Sequence, residues 1–162
     1  MDGLAEYPLR PTYGVIPERL CRYVAAARRA AGSIDCFDYV SSDPATLVAH
    51  LDSLPRGRFC EWGSGMGVGV AIADLLGFVA VGLEIHPQLA RVSRRLLADH
   101  GFGGRIDCAD YLDQSPPADV YFVYCWPGQA NRVLQRFRDR AAPDSKLLFF
   151  HGADRVRCFT SG

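Results

Sequence analysis

The chain has 162 residues, with 18 basic and 18 acidic side chains and 49% hydrophobic residues. That length fits one domain over residues 1–162, and size scaling buries about 69% of the unfolded chain's surface, enough for a core without disulfides or metals. Apolar content at zero net charge excludes intrinsic disorder; the longest apolar run, Val68 to Val81, is too short to span a membrane; and balanced charge makes nucleic acid an unexpected partner.

The start, Met1-Asp2-Gly3, lacks the basic and apolar regions of a secretory signal, so a cytoplasmic protein is expected. The six cysteines (Cys21, Cys36, Cys60, Cys108, Cys125 and Cys158) form no C-x-x-C pair and read as reduced thiols. No metal site is expected, because His50, His86, His100 and His151 sit on separate segments.

Residues 1–57 read as an arm and two helices. The arm carries Pro8, Pro11, Gly14 and Pro17 and predicts no regular structure. Pro17 suits the first turn of a helix that Gly32 stops, with Leu20, Tyr23, Val24 and Ala27 on its buried face. Asp43 followed by Pro44 predicts an N-cap and first turn, with Leu47, Val48, Leu51 and Leu54 as the apolar stripe.

From Arg58 the rhythm becomes strand, glycine, helix. Strands are predicted over Arg58 to Trp62, Phe78 to Glu84, Arg105 to Ala109, Val120 to Cys125 and Lys146 to His151. Helices are predicted over Val68 to Leu76, Pro87 to His100 and Gln129 to Ala141, the last rich in arginine (Arg132, Arg136, Arg138, Arg140) and read as a solvated face. Alternating strands and helices imply a doubly wound, mostly parallel α/β sheet over 58–162. At its C-terminal end only Val156 to Thr160 is left for a further strand.

In such a sheet, ligands sit beyond the carboxyl ends of the strands. Glu61-Trp62-Gly63-Ser64-Gly65-Met66-Gly67 stands there, a glycine loop feeding a helix N-terminus. The dinucleotide pattern G-x-G-x-x-G fails in both registers, at Val68 and at Val70. Glu61, directly before the loop, repels a pyrophosphate and attracts an ammonium group. Glu84 ends the next strand, where an acid accepts hydrogen bonds from ribose hydroxyls. Ribose plus ammonium without phosphate describes S-adenosylmethionine.

The E-x-G-x-G-x-G loop at Glu61 to Gly67, the acid in Gly82-Leu83-Glu84-Ile85, and Asp110 in Cys108-Ala109-Asp110-Tyr111 resemble the class I methyltransferases over Arg58 to His151. The resemblance implies the Rossmann-like methyltransferase fold. It implies a cofactor site of Tyr39, Glu61, Gly63, Ser64, Gly65, Gly67, Glu84, Ile85, Asp110 and Tyr111, with Ile85 on the adenine face and Asp110 at the adenine amino group. Tyr39-Val40 and Gly77-Phe78-Val79-Ala80-Val81-Gly82-Leu83-Glu84 are also similar to small lysine methyltransferases of the ATP-synthase c-subunit and Dot1-like kind, which implies that Tyr39 closes over the methionine end.

Methyl transfer from a sulfonium needs alignment and water exclusion rather than a triad or a metal. The acceptor is expected beside Tyr124-Cys125-Trp126-Pro127-Gly128-Gln129, with Tyr124, Trp126 and His151 as candidate catalytic residues. The pattern of an acid or amide before Pro-Pro, used for methylating DNA or glutamine nitrogen, is missing. A methyltransferase acting on a protein lysine or a small molecule is the leading reading. The alternatives are an inactive cofactor-binding partner subunit and a nicotinamide-dependent oxidoreductase. An exposed sheet edge makes a homodimer one expected arrangement.

Overall fold

The computed structural model describes residues 4–35, 40–152 and 155–162. Among them lie seven strands: β1 (Leu4–Glu6), β2 (Arg58–Trp62), β3 (Val79–Glu84), β4 (Arg105–Cys108), β5 (Val120–Tyr124), β6 (Lys146–Phe150) and β7 (Val156–Ser161). The helices are α1 (Glu18–Ala31), α2 (Pro44–Asp52), α3 (Val68–Leu75), α4 (Pro87–Asp99) and α5 (Ala130–Arg140). The strands form one sheet in the order β1-β7-β6-β5-β2-β3-β4. The five from β2 to β6 pair in parallel; β7 runs antiparallel to both β6 and β1. This is the doubly wound, mostly parallel sheet that the alternation of elements predicts.

Strand alternation sends Phe59, Phe122, Leu148 and Phe150 to one face and Cys60, Tyr121, Val123, Leu147 and Phe149 to the other. The first face packs against buried residues of α1 to α4, among them Leu20, Leu51, Ile72 and Leu97. Among the described residues, α5 is the helix whose residues join the second cluster, through Val133, Leu134 and Phe137. Helix starts follow their local chemistry. Asp43 accepts a hydrogen bond from the Thr46 N–H at 2.9 Å, with Pro44 at N1, and His86 caps α4 through its side chain.

Three expectations need correction. The arm is not wholly irregular: β1 pairs with β7, Leu4 opposite Ser161 and Glu6 opposite Phe159. Two hydrogen bonds between Arg157 and the Glu6 carboxylate, at 3.1 and 3.2 Å, reinforce the pairing. Three residues are too short to show a period, and the partner strand is 150 residues away, so local pattern is silent here. The C-terminal edge therefore holds two strands outside β6, not the one foreseen. Finally, the arginine helix is not solely a solvated face: Arg136 Nε donates to the Tyr111 carbonyl at 2.8 Å and braces the segment after β4.

Candidate cofactor and acceptor site

The order of the sheet reverses between β2 and β5, so their C-terminal ends flank the crevice where open α/β sheets bind ligands. The glycine loop after β2 is held there from several sides. The Gly63 and Ser64 N–H groups both donate to the Leu83 carbonyl at 2.9 Å, and the Gly65 N–H donates to Glu84 Oε2 at 2.7 Å. The Tyr23 hydroxyl, from α1, donates to the Met66 carbonyl at 2.7 Å. Gly67 has φ +79°, and a Cβ there would stand 2.9 Å from the Tyr23 hydroxyl. Glycine is thus required by both conformation and space.

Glu61 lies under this loop, 6% exposed. A Cβ on Gly69 would come within 2.5 Å of its Oε2, so the missing side chain lets α3 rest on the carboxylate. Burial pushes the Glu61 carboxyl well above the usual carboxylate range, the charge of Glu84 adds to that, and a hydrogen bond from the Val70 backbone opposes it. Glu61 Oε2 and the buried Ser64 hydroxyl have no hydrogen-bond partner among the described residues. Each such group costs about 1–3 kcal/mol, a cost a ligand would relieve. Glu61, Gly63, Ser64 and Gly65 line an inner pouch of about 30 Å³ closed by Val40 and Tyr124.

Gly63, Gly65, Val40 and Tyr124 also line an outer cleft of about 220 Å³, which makes pouch and cleft neighbours along one wall. Glu84 lies in the cleft lining with both carboxylate oxygens engaged, Oε2 by Gly65 and Oε1 by the His86 N–H at 2.9 Å. Ile85 is 65% exposed at the rim. Tyr111 stacks on Trp62, ring centroids 5.3 Å apart and planes 4° from parallel, and both face the cleft. Asp110 stands beside the cleft rather than in its lining; its Oδ1 accepts from the Leu112 N–H at 2.8 Å and so shapes the turn that presents Tyr111. Tyr39 falls outside the described residues.

Of the three catalytic candidates, Tyr124 and Trp126 line the cleft and form an edge-to-face pair at 6.1 Å. His151 does not; it lines a second cavity, of about 460 Å³, that shares Trp126 with the cleft. Burial raises the Cys125 thiol, which agrees with the inert role its apolar strand suggests. Sequence reasoning missed Trp62 and Leu89 as lining residues and Tyr23 as the loop's anchor. Tyr23 carried a usable signal, because a tyrosine on a buried helix face needs a partner for its hydroxyl. Among the described residues, no group of three or more His, Cys, Asp or Glu side chains is placed to hold a metal ion. No helix among them is long and apolar enough to cross a membrane.

No protein-family model and no curated protein matches the chain. Solved structures do match. The SAH-bound methyltransferase PaMTH1 of Podospora anserina superposes with a TM-score of 0.67 at 16% identity, over 85% of this chain and 64% of that one. The fold is that of the class I methyltransferases. A Bacillus cereus O-methyltransferase in complex with SAH gives 0.63 at 14% identity, over 83% of this chain and 66% of its own. An RNA methyltransferase from Salinibacter ruber, in complex with S-adenosyl-L-homocysteine, gives 0.55 at 16% identity, over 90% of this chain and 91% of its own. The chain spans 64% of the Podospora enzyme's length and 42% of that of TehB from Haemophilus influenzae.

Proposed function

We propose that the protein is an S-adenosylmethionine-dependent methyltransferase. The observation that carries the reading is Glu61: a buried carboxyl with one oxygen lacking a partner among the described residues, at the floor of a glycine-walled pouch. An ammonium group fits that oxygen and restores the carboxylate's charge, whereas a pyrophosphate does not. Gly63 and Gly65 let a ligand approach the backbone closely, Ser64 offers its buried hydroxyl, and Gly67 shapes the turn beneath Tyr23. Glu84 keeps acceptor capacity for ribose hydroxyls after serving two N–H groups, since each carboxylate oxygen takes two hydrogen bonds. Ile85 and Tyr111 supply apolar walls for an adenine, with Asp110 at its edge. Tyr39 keeps the closing role that the resemblance implies.

The cofactor, when bound, supplies a methyl group already activated on a sulfonium. The chain's residues then need only to orient donor and acceptor and keep water out. Glu61 fixes the amino acid end, Glu84 the ribose, and Tyr124 with Trp126 walls the side from which an acceptor arrives. The finer resemblance supports a protein lysine as one acceptor class, with a small molecule as the other. Calorimetry with S-adenosylhomocysteine and with NAD tests the cofactor: binding of the first alone is expected, and binding of NAD alone overturns the reading. Radiolabelled methyl transfer into a lysate then tests turnover. The end of β5 carries no acid or amide before Pro127, which favours a non-catalytic partner subunit as the second reading. Cofactor binding without any labelled product would support that second reading.

A further inference from the structure

Beyond Trp126 lies a cavity outside the pouch and cleft proposed for the cofactor. It is walled by Trp126, Leu134, Phe149 and Phe159, between α5 and the β6–β7 edge, and it falls in the size range of small-molecule sites. No aspartate or glutamate is in its lining among the described residues; Arg155, Arg157 and His151 are. Arg157 is engaged, paired with Glu6 and lying 4.7 Å over the Phe159 ring. Arg155 is exposed, and its guanidinium has no hydrogen bond or ion pair among the described residues.

We infer that this cavity is the acceptor site and that it takes an aromatic hydroxy acid, a planar apolar body with one anionic group turned toward Arg155. The inference rests on the methyltransferase reading and narrows it. Three aromatic walls suit a flat ring, and the cations suit a carboxylate. The same cations disfavour a lysine ammonium, which would meet like charge and, among the described lining residues, no carboxylate. Trp126 belongs to both cavities, so an acceptor lying against it borders the cofactor cleft. In the reaction the acceptor's hydroxyl oxygen forms a bond to the methyl carbon as the carbon–sulfur bond breaks. That bond's electron pair stays on sulfur, the sulfonium becomes a neutral thioether, and the hydroxyl proton passes to the His151 imidazole in the same cavity.

The test uses 3-hydroxy-2-naphthoate and its uncharged amide, followed by quenching of Trp126 fluorescence on the full chain, with Trp126→Phe to identify the signal. Saturable binding of the naphthoate, at least about tenfold tighter than the amide, is expected from a charge-assisted contact. Arg155→Gln, an exposed position whose side chain has no partner among the described residues, is expected to remove that preference and leave S-adenosylhomocysteine binding unchanged. Equal binding of the two probes, or a preference that survives Arg155→Gln, overturns the inference. So does a lysate in which the labelled product is a protein and the naphthoate fails to bind. Calorimetry with S-adenosylhomocysteine on the same samples separates the two layers. If it binds and the naphthoate does not, the acceptor inference fails alone. If it does not bind, the cofactor reading fails and the acceptor role with it, whatever the naphthoate does.

Discussion

Two loops leave the carboxyl ends of neighbouring strands and are built in opposite ways. The loop after β2 is buried from Ser64 to Met66 and tied to Leu83, Glu84 and Tyr23, residues distant in the chain. The loop after β5 is exposed from Trp126 to Gln129; past the bond from Cys125 N–H to the Phe150 carbonyl, its backbone holds itself by a turn bond from Gln129 N–H to the Trp126 carbonyl at 3.1 Å. The first is pre-organised at a cost, the Glu61 and Ser64 oxygens left without partners among the described residues, and that suits a ligand of fixed shape. The second presents aromatic surface on a lightly held segment, which suits recognition that varies. The loops proposed for cofactor and acceptor thus differ in how many distant residues hold them.

The largest effect is expected at Gly69. A Cβ there meets both Glu61 oxygens, at 2.5 and 2.7 Å, and pushes the buried carboxylate toward the pouch proposed for the ligand. Gly69→Ala is expected to cost about 1–3 kcal/mol in urea unfolding, as overpacking does, and to abolish calorimetric binding of S-adenosylhomocysteine. Gly128→Ala is the control in the other loop. Its φ of +86° brings strain, about 1–2 kcal/mol, yet nothing lies within 4 Å of the new Cβ. Cofactor affinity should stay as it was. Equal losses of affinity in both variants would erase the proposed division of labour.

Glu84→Ala comes next. It strips the acceptor from the Gly65 and His86 N–H groups and from the proposed ribose hydroxyls, so about 1–3 kcal/mol of stability and at least about tenfold in affinity should go together. An unchanged dissociation constant in the folded variant would remove Glu84 from the site.

The difference between the loops also explains what the sequence disclosed. The first loop is written locally: alternate glycines between two acids, each required by a turn or a close approach, are visible without any structure. The Asp43 cap and the strand over Arg58–Trp62 are legible for the same reason. Long-range features are not. Strand β1 exists because β7 offers an edge, and Arg136 braces Tyr111 across 25 residues. The cavity behind Trp126 is a property of what α5 and the β6–β7 edge leave uncovered, which no motif encodes. Asp110 shows the limit of motif logic: the acid is where the pattern puts it, and its Oδ1 is spent on a turn.

Glu61→Gln sharpens the comparison through pH. The folded carboxyl holds its proton to higher pH than the unfolded one, so its contribution to stability is fully present below the unfolded value and is lost as pH rises through the raised folded value. Glutamine keeps the shape and removes the titration. The ligand-free variant should therefore gain on the parent protein in thermal midpoint as pH climbs from about 4.5 toward 8. Affinity for the ammonium-bearing ligand should fall, and the parent's binding should release a proton, seen as a calorimetric enthalpy that varies with the buffer. A parallel pH course for both proteins would mean that Glu61 is charged in the fold and solvated by a route its burial does not suggest.

The smallest effect on the fold is expected at Trp126, 38% exposed and packed chiefly on Tyr124. Trp126→Ala should change unfolding free energy by no more than about 0.5–1 kcal/mol, a partly exposed side chain losing one aromatic contact. Its S-adenosylhomocysteine affinity should remain within about threefold of the parent's, because the cofactor's anchors lie in the other loop. Methyl transfer should nonetheless collapse, since the wall shared by the two cavities is gone. That pairing of a silent fold with a lost reaction distinguishes an acceptor residue from a packing residue. A variant that loses cofactor affinity instead would assign Trp126 to the cofactor half and leave the lightly held loop without a ligand of its own.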